Sequence, residues 1–272
     1  MNDDDAGGTL RRAGDISLWT RSQGQGEPLL LISGLGYSSW CWYELAPALA
    51  HTRRVITFDN RGTGLSDKAA GPYSIAMLAD DAARVLDAHG IAQADVIGHS
   101  MGGYIAQALA LNHAQRVRRL VLVGTSAGGV DSVPLPEATR AAWEASAKLP
   151  PEQSVRMNMP ASFSPGWTDA HPQRFEEFLR RRLVNPTPPL CWQQQYNACV
   201  DFFVQGSPVE RIAHDTLVIH GTEDRVVPYA NGEILSRRLP HARLETFDGV
   251  GHIPYLEQPQ RFVDALHTHL DF

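Results

Sequence analysis

The chain lacks several features that would place a protein in a class at once. Its three cysteines, Cys41, Cys191 and Cys199, are too few for a disulfide framework, although Cys191 and Cys199 are near enough in sequence to pair. Positive charge is not in excess, since 24 Lys and Arg stand against 30 Asp and Glu, for a net charge of −6. Nucleic-acid binding requires clustered cations, so this composition gives no reason to expect it.

Long apolar runs are also missing. Strings of large aliphatic residues, such as Leu29–Ile32 and Leu120–Val123, fall far short of the roughly 20 residues that a membrane helix needs. The acidic start, Met1–Asp5, lacks the basic and apolar parts of a secretion signal. The cysteines and the 11 histidines form no zinc-type pattern. We therefore expect a cytoplasmic protein, monomeric or homodimeric, with no membrane partner, no metal and no cofactor.

What the chain does contain is a regular alternation of short apolar runs and amphipathic stretches. The runs that indicate buried strands are Pro28–Ser33, Arg54–Asp59, Ala94–His99, Val117–Gly124, Thr216–Gly221 and Ala242–Phe247. The stretches with helical spacing are Trp42–Ala50, Ser74–His89, Met101–His113, Tyr229–Leu239 and one from about Gln258. This alternation predicts an α/β fold with a mostly parallel central sheet flanked by helices on both faces, and residues 10–22 suggest antiparallel strands at its edge.

The alternation stops between residues 130 and 207. This segment holds 10 of the 18 prolines and three of the six tryptophans, and its helical pieces are separated by proline-rich turns. Those pieces are Pro136–Lys148, His171–Leu183 and Leu190–Phe203. We expect residues 1–129 and 208–272 to form the core, and residues 130–207 to form a helical cap, or lid, inserted between two strands of one sheet.

The pattern Gly-x-Ser-x-Gly occurs twice, at Gly98–Gly102 and Gly124–Gly128. A serine nucleophile carried on an elbow needs a strand before it, a sharp turn that exposes its hydroxyl, and a helix that starts at once. Ser100 has both flanks, whereas Ser126 is followed by glycines that start no helix. Ser100 is therefore the predicted nucleophile, and Ser126 is interpreted as part of a strand-end turn.

The surroundings of Ser100 resemble the nucleophile elbow of the α/β-hydrolase fold superfamily. Further segments resemble the same superfamily in the expected order: Leu31–Gly36, Asp59–Asp67, Gly221–Pro228 and Gly251–Pro254. The resemblance covers about residues 15 to 265. Ser33–Gly36 is similar to the corresponding loop of enol-lactonases and aminoacrylate hydrolases, and the chain resembles the carboxylesterase and enol-lactonase-like branch of the superfamily. The resemblance to the superfamily implies the same fold and a catalytic triad in the chain order Ser, Asp, His.

A serine needs a base to take its proton and an acid to orient that base. His252 lies between a glycine and an Ile-Pro turn just beyond the last strand, where a loop can reach Ser100. Asp224 follows the strand Thr216–Gly221, the position that this family commonly uses for its acid. The rival acids are Asp201, Glu223 and Asp248. By resemblance, the main-chain N–H groups of Leu35 and Met101 form the oxyanion hole.

The resulting hypothesis is a serine hydrolase that cleaves a small carboxylic ester or lactone through an acyl-enzyme. The residues proposed for an apolar pocket are Tyr37, Trp40, Phe163 and Trp167. A substrate carboxylate could pair with Arg61, Arg156 or Arg225. A C–C bond hydrolase or a thioesterase would use the same triad. Two further alternatives are a non-catalytic ligand-binding protein and a dinucleotide-binding oxidoreductase, the latter on account of Gly34-Leu35-Gly36 and Asp59.

Overall fold

A computed structural model describes residues 7–146 and 148–271 of the 272-residue chain. The acidic start Met1–Asp5 lies outside the described residues, as does residue 147 within the helix predicted over Pro136–Lys148. No helix of the described part combines the length and the apolar character needed to cross a bilayer.

The described residues form one sheet of eight strands. They are β1 (Thr9–Ala13), β2 (Ile16–Gln23), β3 (Pro28–Ile32), β4 (Arg54–Phe58), β5 (Ala94–His99), β6 (Val117–Val123), β7 (Thr216–Gly221) and β8 (Ala242–Phe247). Their order across the sheet is β1-β2-β4-β3-β5-β6-β7-β8. The β1–β2 and β2–β4 pairs are antiparallel and all the other pairs are parallel, which confirms the predicted fold class and its antiparallel edge.

The described residues also form eleven α-helices. They are α1 (Leu45–Leu49), α2 (Ile75–Ala88), α3 (Met101–Asn112), α4 (Glu137–Ser146), α5 (Pro151–Asn158), α6 (Trp167–Ala170), α7 (Pro172–Val184), α8 (Pro189–Gln205), α9 (Ala230–Arg238), α10 (Pro254–Glu257) and α11 (Pro259–Leu270). Short 3₁₀ turns occur at Ser39–Trp42, Ala114–Arg116, Met159–Ser162 and Val209–Arg211. Helices α4 to α8 lie between β6 and β7 and are called the inserted helices below.

The helix predicted over Trp42–Ala50 is wrong at its start. The chain forms the 3₁₀ turn Ser39–Trp42 instead, and α1 begins only at Leu45. Pro47 explains this difference, because a proline is tolerated in the first turn of an α-helix but not in its interior.

The sheet separates two apolar clusters. Side chains alternate along a strand, so Leu30 and Ile32 of β3 face the cluster that contains α2 and α3. Leu29 and Leu31 face the opposite cluster, which contains α1 and α11. Helices therefore cover both faces, as the near-continuous apolar strands predict. The second cluster continues into the inserted helices through Phe178 of α7.

The parallel strands bring four loops to one edge of the sheet. Strands β5, β6, β7 and β8 are neighbours in that order and run in the same direction. Their carboxyl ends therefore lie side by side, where open α/β sheets bind their ligands. Ser100, Gly124, Asp224 and His252 all follow these ends.

Candidate active site

Ser100 lies at a strained turn between the end of β5 and the start of α3. Its backbone has φ 56° and ψ −121°, a conformation that is costly for a residue with a Cβ. A Cβ on Gly98 would lie 2.2 Å from the carbonyl oxygen of Gly102, and one on Gly102 would lie 2.1 Å from that of Ile32. The two glycines on either side of Ser100 therefore let three backbone segments approach closely enough to form this turn.

Ser126 has a different environment. It is buried, its hydroxyl lies 3.1 Å from that of Tyr104, and its carbonyl accepts a hydrogen bond from Gln107 at 2.9 Å. It belongs to an irregular segment that leads into no helix. The hydroxyl of Ser126 is thus engaged inside the protein rather than presented at the strand ends.

Asp224 and His252 are in direct contact. Nδ1 of His252 lies 2.7 Å from Oδ2 of Asp224, and both side chains are buried. The other oxygen, Oδ1, accepts the N–H groups of Val226 and Val227, each at 2.8 Å. Burial opposes ionisation of Asp224, but His252 and His220 outweigh it and hold the pKa of this carboxyl well below its usual range. The rival acids are all exposed: Asp201, Glu223 and Asp248.

The loops that carry Ser100 and His252 adjoin. The N–H of Ser100 donates to the carbonyl of Val123 at 2.9 Å. A Cβ on Gly124, the next residue, would lie 3.1 Å from Nδ1 of His252. Nε2 of His99, which precedes Ser100, lies 2.9 Å from the carbonyl oxygen of His252. The structure thus brings the three residues of the predicted triad to one edge of the sheet.

The predicted oxyanion donors lie beside Ser100. A Cβ on Gly34 would lie 3.2 Å from Cβ of Ser100, and Leu35 follows Gly34 in this loop. Met101 is the first residue of α3, where N–H groups have no partner within the helix. The N-terminal end of a helix also favours negative charge. The loop that carries Leu35 and the first turn of α3 therefore both adjoin the serine.

The four residues predicted to line a pocket belong to one buried aromatic cluster. We call Tyr37, Trp40, Phe163, Trp167 and Phe178 the aromatic cluster. The ring of Phe178 lies 5.1 Å from that of Trp40 and 5.5 Å from that of Phe163. Phe163 and Trp167 stack on each other at 4.4 Å. Tyr37 lies nearest the nucleophile turn, with its ring 6.4 Å from that of His99.

The arginines considered as partners for a substrate carboxylate are engaged elsewhere. Arg61 forms a two-pronged contact with Asp81, at 2.5 and 2.7 Å. Arg156 lies at the surface and binds Glu176 at 2.6 Å. Arg225 donates to two main-chain carbonyls of the segment between α5 and α6.

A fourth arginine, not singled out from the sequence, lies close to the oxyanion loop. Cζ of Arg182 is 4.7 Å from the ring centroid of Tyr37, and its Nη2 would be 3.6 Å from a Cβ on Gly36. Its Nη1 is buried and has no hydrogen-bond partner among the described residues. Burial lowers the pKa of Arg182 and raises that of Tyr37 to about 12, so the neighbouring phenol is neutral.

A signal for Arg182 does exist in the sequence. It follows Phe178 by four residues, which places both on the same side of α7. Arg180 and Arg181 instead reach Glu177, at 2.8 and 2.6 Å. An arginine at helical spacing from an apolar residue indicates a positively charged side chain on the side of the helix that faces the protein.

The dinucleotide-binding alternative does not fit this loop. In a Rossmann fold, the acidic residue after the second strand must be available to a ribose. The carboxylate of Asp59 instead accepts the N–H groups of Ser39 and Leu65, at 2.8 and 2.7 Å. A Cβ on Gly36 would lie 2.7 Å from Cδ1 of Trp192, so that side chain covers the turn that a pyrophosphate would occupy.

Among the described residues, no group of three His, Cys, Asp or Glu side chains is arranged to hold a metal ion. Cys41, Cys191 and Cys199 are free thiols.

Comparison with known proteins agrees with the observed fold. Residues 27–259 match the family model described as the alpha/beta hydrolase fold. The chain is 33% identical over 264 residues to 2-hydroxymuconate semialdehyde hydrolase of Pseudomonas sp. (strain CF600), covering 89% of this chain and 86% of that one. It is 31% identical over 246 residues to the putative carbamate hydrolase RutD of Caulobacter segnis, with 88% and 90% covered.

A solved structure is similar over nearly the whole chain. Est816, described as an N-acyl homoserine lactone degrading enzyme, superimposes with a TM-score of 0.79 at 28% identity and covers 95% of this chain and 98% of its own. The matched model and these relatives span most of the residues that build the sheet and the site. The chain therefore belongs to the alpha/beta hydrolase fold family.

Proposed function

We propose that this hydrolase uses Ser100 as its nucleophile, His252 as its general base and Asp224 as the acid that orients the base. The observation that carries the proposal is the 2.7 Å contact between His252 and Asp224, next to a serine held at φ 56° where a strand turns into a helix. A merely structural serine has no need for such a turn or for a base beside it.

The contact with Asp224 determines which nitrogen of His252 accepts a proton. Since an ionised carboxylate only accepts, Nδ1 of His252 carries the hydrogen and Nε2 is left with a lone pair. Nε2 takes the proton of Ser100 as Oγ attacks the substrate carbonyl, and the N–H groups of Leu35 and Met101 bind the resulting oxyanion. Nε2 then gives the proton to the leaving group. Water next attacks the acyl carbon and gives its proton to Nε2, which passes a proton to Oγ of Ser100 as the acid is released.

The substrate class follows from Arg182 and the aromatic cluster. The buried Nη1 of Arg182 has no hydrogen-bond partner among the described residues, and a substrate carboxylate would supply one together with the opposite charge. Arg182 contacts Tyr37, which lies close to the nucleophile turn, so a bound carboxylate would lie near the scissile carbonyl. We infer a small ester or lactone that carries a carboxylate and an apolar portion for Tyr37 and Trp40.

A C–C bond hydrolase is the second candidate. Two curated relatives at 33% identity are 2-hydroxymuconate semialdehyde hydrolases. The substrate in that name is a muconate derivative and therefore carries a carboxylate. The same serine, base and oxyanion donors would cleave a C–C bond next to a ketone, provided that the leaving carbon is stabilised as an enolate. Arg182 suits such an oxo acid as well as it suits a carboxylated lactone.

We further propose that residues 130–207 act as a cap over the site, on a core of residues 1–129 and 208–272. The segment that contains the inserted helices contacts both the loop of His252 and the loop after β3. The N–H of His252 donates to the carbonyl of Ser162 at 3.0 Å, and Gln195 of α8 accepts the N–H of Gly36 at 3.0 Å. These contacts shield the reacting groups from bulk water, which strengthens the electrostatic interactions between them.

The test is a substrate panel assayed with the wild type and with Ser100→Ala. The panel contains p-nitrophenyl esters and lactones, each with and without a carboxylate, and 2-hydroxy-6-oxo dienoates, which all carry one. We expect turnover of at least one carboxylated class and its loss in Ser100→Ala, with Ser126→Ala retaining activity. Activity that survives in Ser100→Ala would exclude the proposed nucleophile.

A further inference from the structure

Two histidines outside the triad flank the contact between Asp224 and His252. His99 and His220 are both fully buried, at 0% exposure, and lie on neighbouring parts of the same sheet edge. Burying an imidazole is unfavourable unless its nitrogens are used, so their hydrogen bonds indicate what each ring contributes.

His220 faces the acid. Its Nε2 lies 3.3 Å from Oδ2 of Asp224 and 2.8 Å from the carbonyl oxygen of Val227. Both neighbours are acceptors, so Nε2 carries the hydrogen and shares it between them. The ring packs tightly against α9, because a Cβ on Gly232 would lie 2.6 Å from its Nδ1. His220 thus fixes the carboxylate of Asp224 and the loop that returns from it.

His99 faces the base. Its Nε2 lies 2.9 Å from the carbonyl oxygen of His252, so this nitrogen donates to the main chain of the base. Its Nδ1 lies 3.4 Å from the hydroxyl of Tyr255, and its ring is 4.7 Å from that of His252. The ring therefore contacts the base on two sides, through its main chain and through its imidazole.

We propose that His99 and His220 are positioning residues of the hydrolytic site, with His220 orienting the carboxylate of Asp224 and His99 holding the main chain of His252. The inference rests on the proposed triad. A neutral donor suits both positions, because a second cation beside His252 would oppose the positive charge that the base acquires during catalysis.

The charged and titratable groups around the two rings are few. Asp224, in the loop after β7, faces His220. Tyr229, in the turn before α9, contacts His220 with the ring centroids 6.0 Å apart. His252 in the loop after β8, Tyr255 of α10 and Tyr37 in the loop after β3 face His99. Burial lowers the pKa of His99 to about 3, so it is a neutral donor at physiological pH.

The experiment compares two replacements at each position. His220→Phe and His99→Phe keep an aromatic ring but remove the donor, whereas His220→Gln and His99→Gln place an amide N–H near the original Nε2. Loss of a hydrogen bond to a charged or catalytic group corresponds to about a 10- to 100-fold change in rate. We expect the phenylalanine variants to lower kcat by that factor with KM little changed, and the glutamine variants to recover most of it.

His269 provides a matched control. It is also a buried histidine whose Nε2 lies 3.2 Å from a main-chain carbonyl, that of Leu120, but it belongs to α11. His269→Phe should leave kcat within about threefold of the wild type. If it lowers kcat as much as His220→Phe does, or if the phenylalanine variants of His99 and His220 retain wild-type kcat, the proposal is overturned.

A double-mutant cycle separates positioning from a general loss of structure. If His220 acts through Asp224, His220→Phe should have little further effect on kcat in an Asp224→Asn background. An equal loss in both backgrounds would contradict the inference. Failure of the triad itself would be recognised separately, because Ser100→Ala would then keep its activity.

Discussion

Oδ2 of Asp224 lies 2.7 Å from Nδ1 of His252, although 28 residues separate the two along the chain. Their loops follow the neighbouring strands β7 and β8, whose parallel pairing brings the two strand ends together. The first prediction concerns this contact. Asp224→Asn should lower kcat by about 10³- to 10⁴-fold, because an amide can donate to Nδ1 and favour the tautomer that cannot accept the proton of Ser100.

The measurement is steady-state kinetics on the best substrate of the panel, together with thermal unfolding. The buried amide keeps the shape of the side chain, so a folded protein with strongly reduced kcat is expected. A kcat within tenfold of the wild type would show that Asp224 is not the orienting acid.

The second prediction concerns Arg182. Arg182→Gln should raise KM for a carboxylated substrate by about 10- to 100-fold, the range for losing a hydrogen bond to a charged group, while KM for a neutral p-nitrophenyl ester stays nearly constant. Arg180→Gln is the matched control, because this neighbour on α7 binds Glu177 at the surface instead. Equal effects on charged and neutral substrates would contradict the assignment.

The third prediction concerns the glycines of the nucleophile turn. Gly98→Ala would place a Cβ 2.2 Å from the carbonyl oxygen of Gly102, a contact that only movement of the backbone can relieve. We expect it to lower the melting temperature by well over 5 °C and to abolish activity. Gly90→Ala is the control, because its Cβ would meet no atom within 4 Å and only its positive φ of 65° is strained, at a cost of about 1–2 kcal/mol. Similar melting temperatures for the two variants would contradict this account of the turn.

The fourth prediction concerns the acid stability of the protein. Burial lowers the pKa of His99 from 6.5 to about 3, so below pH 6.5 the unfolded chain binds a proton that the folded chain does not. The stability that depends on a neutral His99 is fully present above pH 6.5 and is lost as the pH falls towards 3. The free energy of unfolding decreases by about 1.4 kcal/mol per pH unit within that window.

His99→Gln removes the titrating group while retaining a donor. Urea unfolding at pH 7, 6 and 5 should show a steeper loss of stability for the wild type than for this variant. Parallel curves for the two proteins would mean that His99 is not held neutral in the folded state.

Much of the fold follows from the sequence because its strands are nearly continuous apolar runs. Ala94–His99 was bounded correctly because Gly98 and Gly102 mark the turn on either side of Ser100. The sequence does not predict helix α5, because none of its residues is buried and it therefore has no apolar periodicity. Local sequence also conceals tertiary contacts, such as the one that brings His220 to Asp224.

The candidate site likewise combines residues that chain order predicts with contacts that only the tertiary structure reveals. The prediction of His252 as the base rests on its place beyond the last strand, which depends only on chain order. The spacing from Phe178 indicates only the side of α7 on which Arg182 lies. The features that set Arg182 apart are the ring of Tyr37 and the absence of any partner for Nη1 among the described residues, and neither can be read from residues close to it in the chain.

We propose that Ser100, and not Ser126, is the activated nucleophile of this hydrolase. Incubating the folded protein with a fluorophosphonate and locating the adduct by peptide mass spectrometry distinguishes the two serines. We expect a single adduct on Ser100, formed at least 100-fold more slowly in His252→Ala because the serine then has no base. An adduct on Ser126, or labelling of Ser100 at an unchanged rate in His252→Ala, would contradict it.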